Sequence, residues 1–207
     1  MPFEARRITD PRALRALSHP VRLALIDALR EEGPLTATQA AELVGESAAN
    51  CSFHLRTLAR YGFVDEAEGG RGRQRPWRLV SPAHHIPDAG ELPGEAGIAA
   101  GALVEVLSER DGERHRTWLH TAPQYPERWR QASFYDSIKL QLTSEELEDL
   151  AEAVHGLMAR FVGRTPEDRP PGAIPVQVTA MGFPTRIPQP APERRSHATE
   201  SSLDLDR

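Results

Sequence analysis

The chain has 207 residues, 39% of them apolar, with a net charge of -5 and a single cysteine. That allows two modest domains and rules out an internal disulfide. The charge is unevenly spread: residues 1–80 hold 12 arginines against 10 carboxylates, and residues 81–207 hold 13 basic residues against 20 acidic ones, so a polyanion can be met favourably only by the first part.

No apolar run approaches the roughly 18–20 residues of a membrane span, and the opening MPFEARRITD lacks a signal peptide's apolar core. A cytoplasmic protein without a membrane partner is expected. Lys139 is the one basic residue that is not arginine.

In chain order, LSHPVRLALIDALREEG predicts a helix with Ser18 as N-cap, Pro20 in the first turn where no donor is needed, and a stop at Gly33. Val21, Leu25, Ile26 and Leu29 recur at helical spacing. PLTATQAAELVGE predicts a short helix between a Thr36/Gln39 capping box and Gly45, with Ala40, Leu43 and Val44 inward. Ser47 caps a third helix reaching about Tyr61, and Gly62 ends it. The short turn GES joins the last two as a helix-turn-helix.

The period then becomes extended: FVDEA, a tip EGGRGRQ and PWRLV read as a β-hairpin, which completes a winged helix over residues 1–80. Residues 81–96 are Pro/Gly-rich and read as a linker. Residues 97–184 read as a dimerisation and effector region. It opens with a helix over 97–120 that carries Ile98, Ala102, Leu103, Val106 and Leu107 along one side, with Gly112 a point of interruption.

SIKLQLT alternates as a half-buried strand should. A Thr143/Glu146 capping box starts a helix with Leu147, Leu150, Val154, Leu157, Met158 and Phe161 on one face, and AIPVQVTAMGFP reads as another strand. Residues 185–207 are too polar and Pro-rich to pack and are expected to be disordered. The fold class is therefore mainly α with small β (α+β): a winged helix-turn-helix, a long dimerisation helix and a strand-helix-strand segment.

On a helical wheel of the third helix, Cys51, Leu55 and Leu58 share one direction, so the cysteine is expected to be a small buried hydrophobe. The opposite direction holds Ala49, Phe53, Arg56 and Arg60, flanked by Asn50, Ser52 and Thr57. Such a face suits DNA: small residues near the helix start, Ser47 and Ala49, permit close approach, Asn50 can address a base edge, Phe53 a thymine methyl, and the arginines bases or phosphates. Packing of Phe53 against the wing or Trp77 is the alternative. At the wing tip Arg71, Arg73 and Arg75 stand beside glycines, a cationic tip suited to phosphates or a minor groove.

LSHPVRLALIDAL, TATQAAELVGESAANCSFHLRTLARYGFV and the Arg/Gly hairpin together resemble the ArsR-type winged-helix transcriptional regulators over about residues 10–80. Pro20-Val21-Arg22 opens the second helix as in that family, and Asn50, Ser52, His54 and Leu55 fit its N-x-S-x-H-L recognition-helix pattern. The resemblance implies a homodimer that binds double-stranded DNA, a repressor on a palindromic operator before an activator. His54 falls between core and surface on the wheel, so a structural or phosphate-contacting role comes before base reading.

Metal-sensing relatives carry a cysteine pair where this chain has Leu35-Thr36-Ala37-Thr38, or His and acidic ligands on the dimerisation helix. Here Asp111 and His115 are one turn apart but His120 points elsewhere, and His84 and His85 are adjacent and divergent. Neither a metal nor a cofactor is expected. Trp118, Trp129, Phe134 and Tyr135 cluster in sequence and are candidates to line a pocket for a small organic effector. No nucleophile motif or phosphate loop is present, so catalysis is not expected. The competing functions are a winged-helix interaction scaffold without DNA binding and a metal-responsive repressor.

Overall fold

Asp10 accepts a hydrogen bond from Arg12 N and Pro11 fills the first turn, so the chain enters α1 (Pro11–Leu17) already capped. The computed structural model describes residues 6–69, 75–81, 84–87, 89–164 and 168–187. The helix α2 (Pro20–Glu32) follows after a two-residue break. Its N-cap is His19, whose Nδ1 accepts from Val21 N at 3.2 Å, and not Ser18, which closes α1 by donating to Leu14 O. Thr36 and Gln39 form the expected capping box on α3 (Ala37–Val44), and Gly45 ends it with φ of 71°. Ser47 accepts from Asn50 N to start α4 (Ala48–Arg60).

Leu25, Ile26, Leu29, Leu55, Leu58 and Phe63 form the centre of the core. Each contributes about 1.5–3 kcal/mol by leaving water. Leu43, expected inward, is 54% exposed, because the short α3 turns only Ala40 and Ala41 fully into the core.

The strands β2 (Val64–Glu66) and β3 (Trp77–Leu79) pair antiparallel as the stem of the wing, with Leu35 bridging to Trp77. The tip, with Arg71 and Arg73, lies outside the described residues. The expected linker is partly built into the fold: β4 (His84–His85) pairs in parallel with β1 (Arg6–Arg7), and Leu92 is buried.

The long helix α5 (Glu95–Thr121) passes through Gly112 unbroken and packs its first turns on α1. The helices α6 (Glu127–Ala132) and α7 (Ser144–Ala159) follow, α7 behind its predicted capping box. The two predicted C-terminal strands are not formed. Residues 137–143 and 173–184 are neither helical nor paired in a sheet among the described residues. Alternation supplies a strand with a face, but a ladder also needs an edge to bond to, and among the described residues neither segment is paired to one. The tail from 188 onward lies outside the described residues.

His84 sits edge-on to Phe63 at 5.2 Å, and its Nε2 is buried without a hydrogen-bond partner among the described residues. Burial, helped by the charges of Arg30 and Arg6, pushes its pKa down to about 4. The fold therefore favours the neutral ring: its contribution is intact above pH 6.5 and is lost as pH falls towards 4. Thermal unfolding followed from pH 7.5 to 4.5 should show a falling Tm, with His84 supplying roughly 2–3 kcal/mol of the loss near pH 4. His84→Phe should make that slope shallower.

Candidate nucleic-acid interface

The candidate surface is built by holding one side of α4 inward. Cys51, Leu55 and Leu58 are fully buried against α2 and α3, which orients the opposite side to solvent. On that side Ala49, Phe53, Arg56 and Arg60 are exposed, and Asn50, Ser52 and Thr57 are half-exposed.

Local hydrogen bonds order this face. Arg56 Nη1 donates to Ser52 Oγ at 2.7 Å and Thr57 Oγ1 donates to Phe53 O at 3.0 Å. Asn50 Nδ2 donates to Glu46 Oε2 at 2.8 Å, while Ser47 Oγ is engaged as the cap. Phe53 is 57% exposed with only an edge contact to the His54 ring, so it does not pack on the wing or on Trp77.

His54 separates from this group. It is 6% exposed, lies 4.5 Å from the His19 ring, and faces Arg22 Nη1 across 3.4 Å. A guanidinium only donates, so Nδ1 accepts and His54 is the neutral Nε2–H tautomer. Burial lowers its pKa, and the charges of His19 and Arg22 add to this. Arg22 also donates to the carbonyls of Ala16 and Arg15 at the end of α1. His54 is thus part of a junction of α1, α2 and α4 and packs as a structural residue. The wheel could not find this, because the position lies on the boundary of the two faces and only the α1–α2 corner decides it.

Beside α4, Arg75 is exposed and pairs with Glu66 at 3.1 Å. Arg6, missed in the sequence reading, donates to the carbonyls of Gly62 and Tyr61 and closes the end of α4. A Cβ on Gly62 would stand 3.0 Å from that guanidinium, and φ there is 69°, so both space and conformation call for glycine.

The four aromatic candidates for an effector pocket make no ring contact with one another among the described residues. Trp118 meets Tyr125, Tyr135 stacks on His115, and Phe134 is 76% exposed. A shallow cleft of about 380 Å³ lies elsewhere, between α2 and α5, lined by Pro20, Ala24, Asp27, Arg110, Arg114 and neighbours. Among the described residues no group of three His, Cys, Asp or Glu side chains converges on a metal position, and no helix is long and apolar enough to cross a membrane.

Residues 17–67 match the helix-turn-helix domain family, which agrees with the geometry of α2, α3 and α4 and with the ArsR-type resemblance. No curated protein matches the chain. Among solved structures, the homodimeric winged helix-turn-helix DNA-binding domain of a possible ArsR-family transcriptional regulator from Mycobacterium bovis is 23% identical, covering 47% of this chain and 76% of that one with a TM-score of 0.31. The PcaV transcriptional regulator of Streptomyces coelicolor, solved with its natural ligand, is 16% identical over 67% of this chain and 73% of its own, with a TM-score of 0.29. MepR of S. aureus, solved with DNA, is 14% identical over 54% and 84%, also with a TM-score of 0.29. These likenesses are too distant to transfer a ligand or an assembly.

Cys51 is fully buried under α4, and burial, with the nearby Glu46 carboxylate, raises its pKa. A thiol-disulfide reagent at pH 7.5 should therefore leave the native protein unlabelled and react with one thiol per chain in denaturant. Fast labelling of native protein would show that α4 is not seated as described.

Proposed function

We propose that the chain is a sequence-specific, DNA-binding transcriptional regulator, acting in the cytoplasm as a homodimeric repressor on a two-fold operator, with no catalytic activity. One observation carries the reading: the second helix of a helix-turn-helix presents an ordered amide, aromatic and guanidinium face that stands uncovered among the described residues. In such domains this helix enters the major groove, and two copies one turn apart, about 34–36 Å, meet successive grooves.

Asn50 is assigned to base reading and Ala49 to the close approach it needs. Phe53 would touch a thymine methyl, and Arg56, Thr57, Ser47, Ser52 and Arg60 bases or adjacent phosphates. Arg71, Arg73 and Arg75 of the wing neutralise backbone phosphates. Glu46 acts as a gate on this surface: its carboxylate occupies the Asn50 amide in the free protein and must release it when a base takes its place. Release from DNA is assigned to a small organic effector acting near α5, where a change of helix orientation alters the separation of the two reading units.

Fluorescence anisotropy on operator and random duplexes over a salt series tests these roles. Asn50→Ala should cost about 1–3 kcal/mol on the operator and little on random DNA. Alanine at Arg71, Arg73 and Arg75 together should weaken both duplexes alike and flatten the salt dependence. Equal losses on both duplexes from Asn50→Ala would mean that this face does not read sequence.

Glu46→Gln removes a negative charge from the groove-facing edge and keeps an acceptor for the amide. It should tighten binding to random DNA more than to the operator, narrowing the specificity ratio. A wider ratio would exclude the gating role.

A further inference from the structure

The C-terminal part is an incomplete unit. The helix α7 runs sixteen residues behind a full capping box, yet none of its residues is buried and Leu157 is 61% exposed. Ile138, Leu140 and Leu142 before it, and Ile174, Val176 and Val178 after it, stand two residues apart and are all exposed. A lone helix of this length is marginal in water, and two strands without a covered face are no better. Thirteen large apolar side chains between 134 and 183 are exposed, on the order of 1,000 Å² per chain, more than the roughly 800 Å² each partner gives to a standard interface.

We propose that a second copy of this chain completes the unit: residues 137–143 and 173–180 of both chains pair into one shared sheet, and the apolar side of the two α7 helices covers one of its faces. The inference rests on the dimer reading above and deepens it by naming the seam. Two contacts hold the second extended segment against the long helix, and a third ties the chain just before it to the end of α2. Arg114 donates to Gln177 at 3.0 Å, Thr179 donates to Asp111 at 2.9 Å, and Arg169 donates to the carbonyls of Arg30 and Glu31. They present this segment beside the long helix.

The long helix cannot supply the seam by itself. The first turns of its apolar side are spent on α1 within the same chain, and over 27 residues only Ile98, Val104 and Leu119 remain as exposed large apolar side chains. Two copies bring four extended segments and two amphipathic helices, more than the three strands or strand-helix packing that independent stability requires. An anionic lipid surface is a poor cover, because α7 carries Glu145, Glu148, Asp149 and Glu152 on its remaining sides.

The test uses the full chain in analytical sedimentation and amide hydrogen exchange. The expected result is a dimer at micromolar concentration, with the amides of 138–142 and 174–178 protected in proportion to dimer. Leu140→Pro combined with Val176→Pro should weaken the dimer at least tenfold. Both positions are exposed outside regular structure, and an unchanged helical circular dichroism signal checks that the fold survives.

A wild type that stays monomeric throughout overturns the dimer reading itself. A dimer that lacks this protection and ignores the double proline variant, but dissociates with Ile98→Asp, keeps the dimer and overturns this seam. Protection that persists in the monomer overturns it too, because the segments would then close within one chain.

Discussion

The close approach of α1 and α5 is the constraint on which the rest depends. Ala13 and Ala16 on one helix and Gly97, Ala99 and Ala100 on the other are buried, with Leu14, Leu17 and Leu103 filling the space between. Small side chains on both helices let the backbones approach, so the contact is dense without large residues. Further along, Asp27 of α2 is 14% exposed and holds both Arg110 and Arg114 of α5. A half-buried carboxylate is costly to desolvate, and two guanidiniums offset that cost where one exposed partner would not. The long helix is therefore continuous in packing with the domain that carries α4.

That rigidity explains the division within α4. Its inward side is set by core residues and by the Arg22–His54–His19 corner, and its outward side is left with short local hydrogen bonds that cost little to rearrange. If bases replace these protein partners, as proposed, both properties are needed. The backbone has to be placed before binding, and the side chains must not be locked.

The helix-turn-helix was legible because its signals are local. Caps at Thr36 and Ser47, the stop at Gly45 and the leucine spacing of α4 each need only a few neighbouring residues. Ser18 misled because a serine before Pro20 looks like a cap, whereas the side chain that accepts is that of the next residue. The extended segments after α6 were legible as alternation but not as sheet, since pairing depends on an edge that sequence period does not encode. Most of the exposed face of α4 could be drawn from a wheel. His54 could not, because its burial is decided by α1 and α2, and Arg6 lies more than fifty residues from the carbonyls it serves.

The short parallel pair of β1 and β4 has a mechanical consequence. Arg6 grips the last carbonyls of α4, and its own strand is bonded to the segment that leads into α5. The far end of α4 is thus tied to the start of the long helix by a strap of backbone and guanidinium bonds that bypasses the leucine core. The strap and the α1 contact thus couple the orientation of α5 to that of α4 by a second route, so tilting one helix against the other has to stretch bonds outside the leucine core as well.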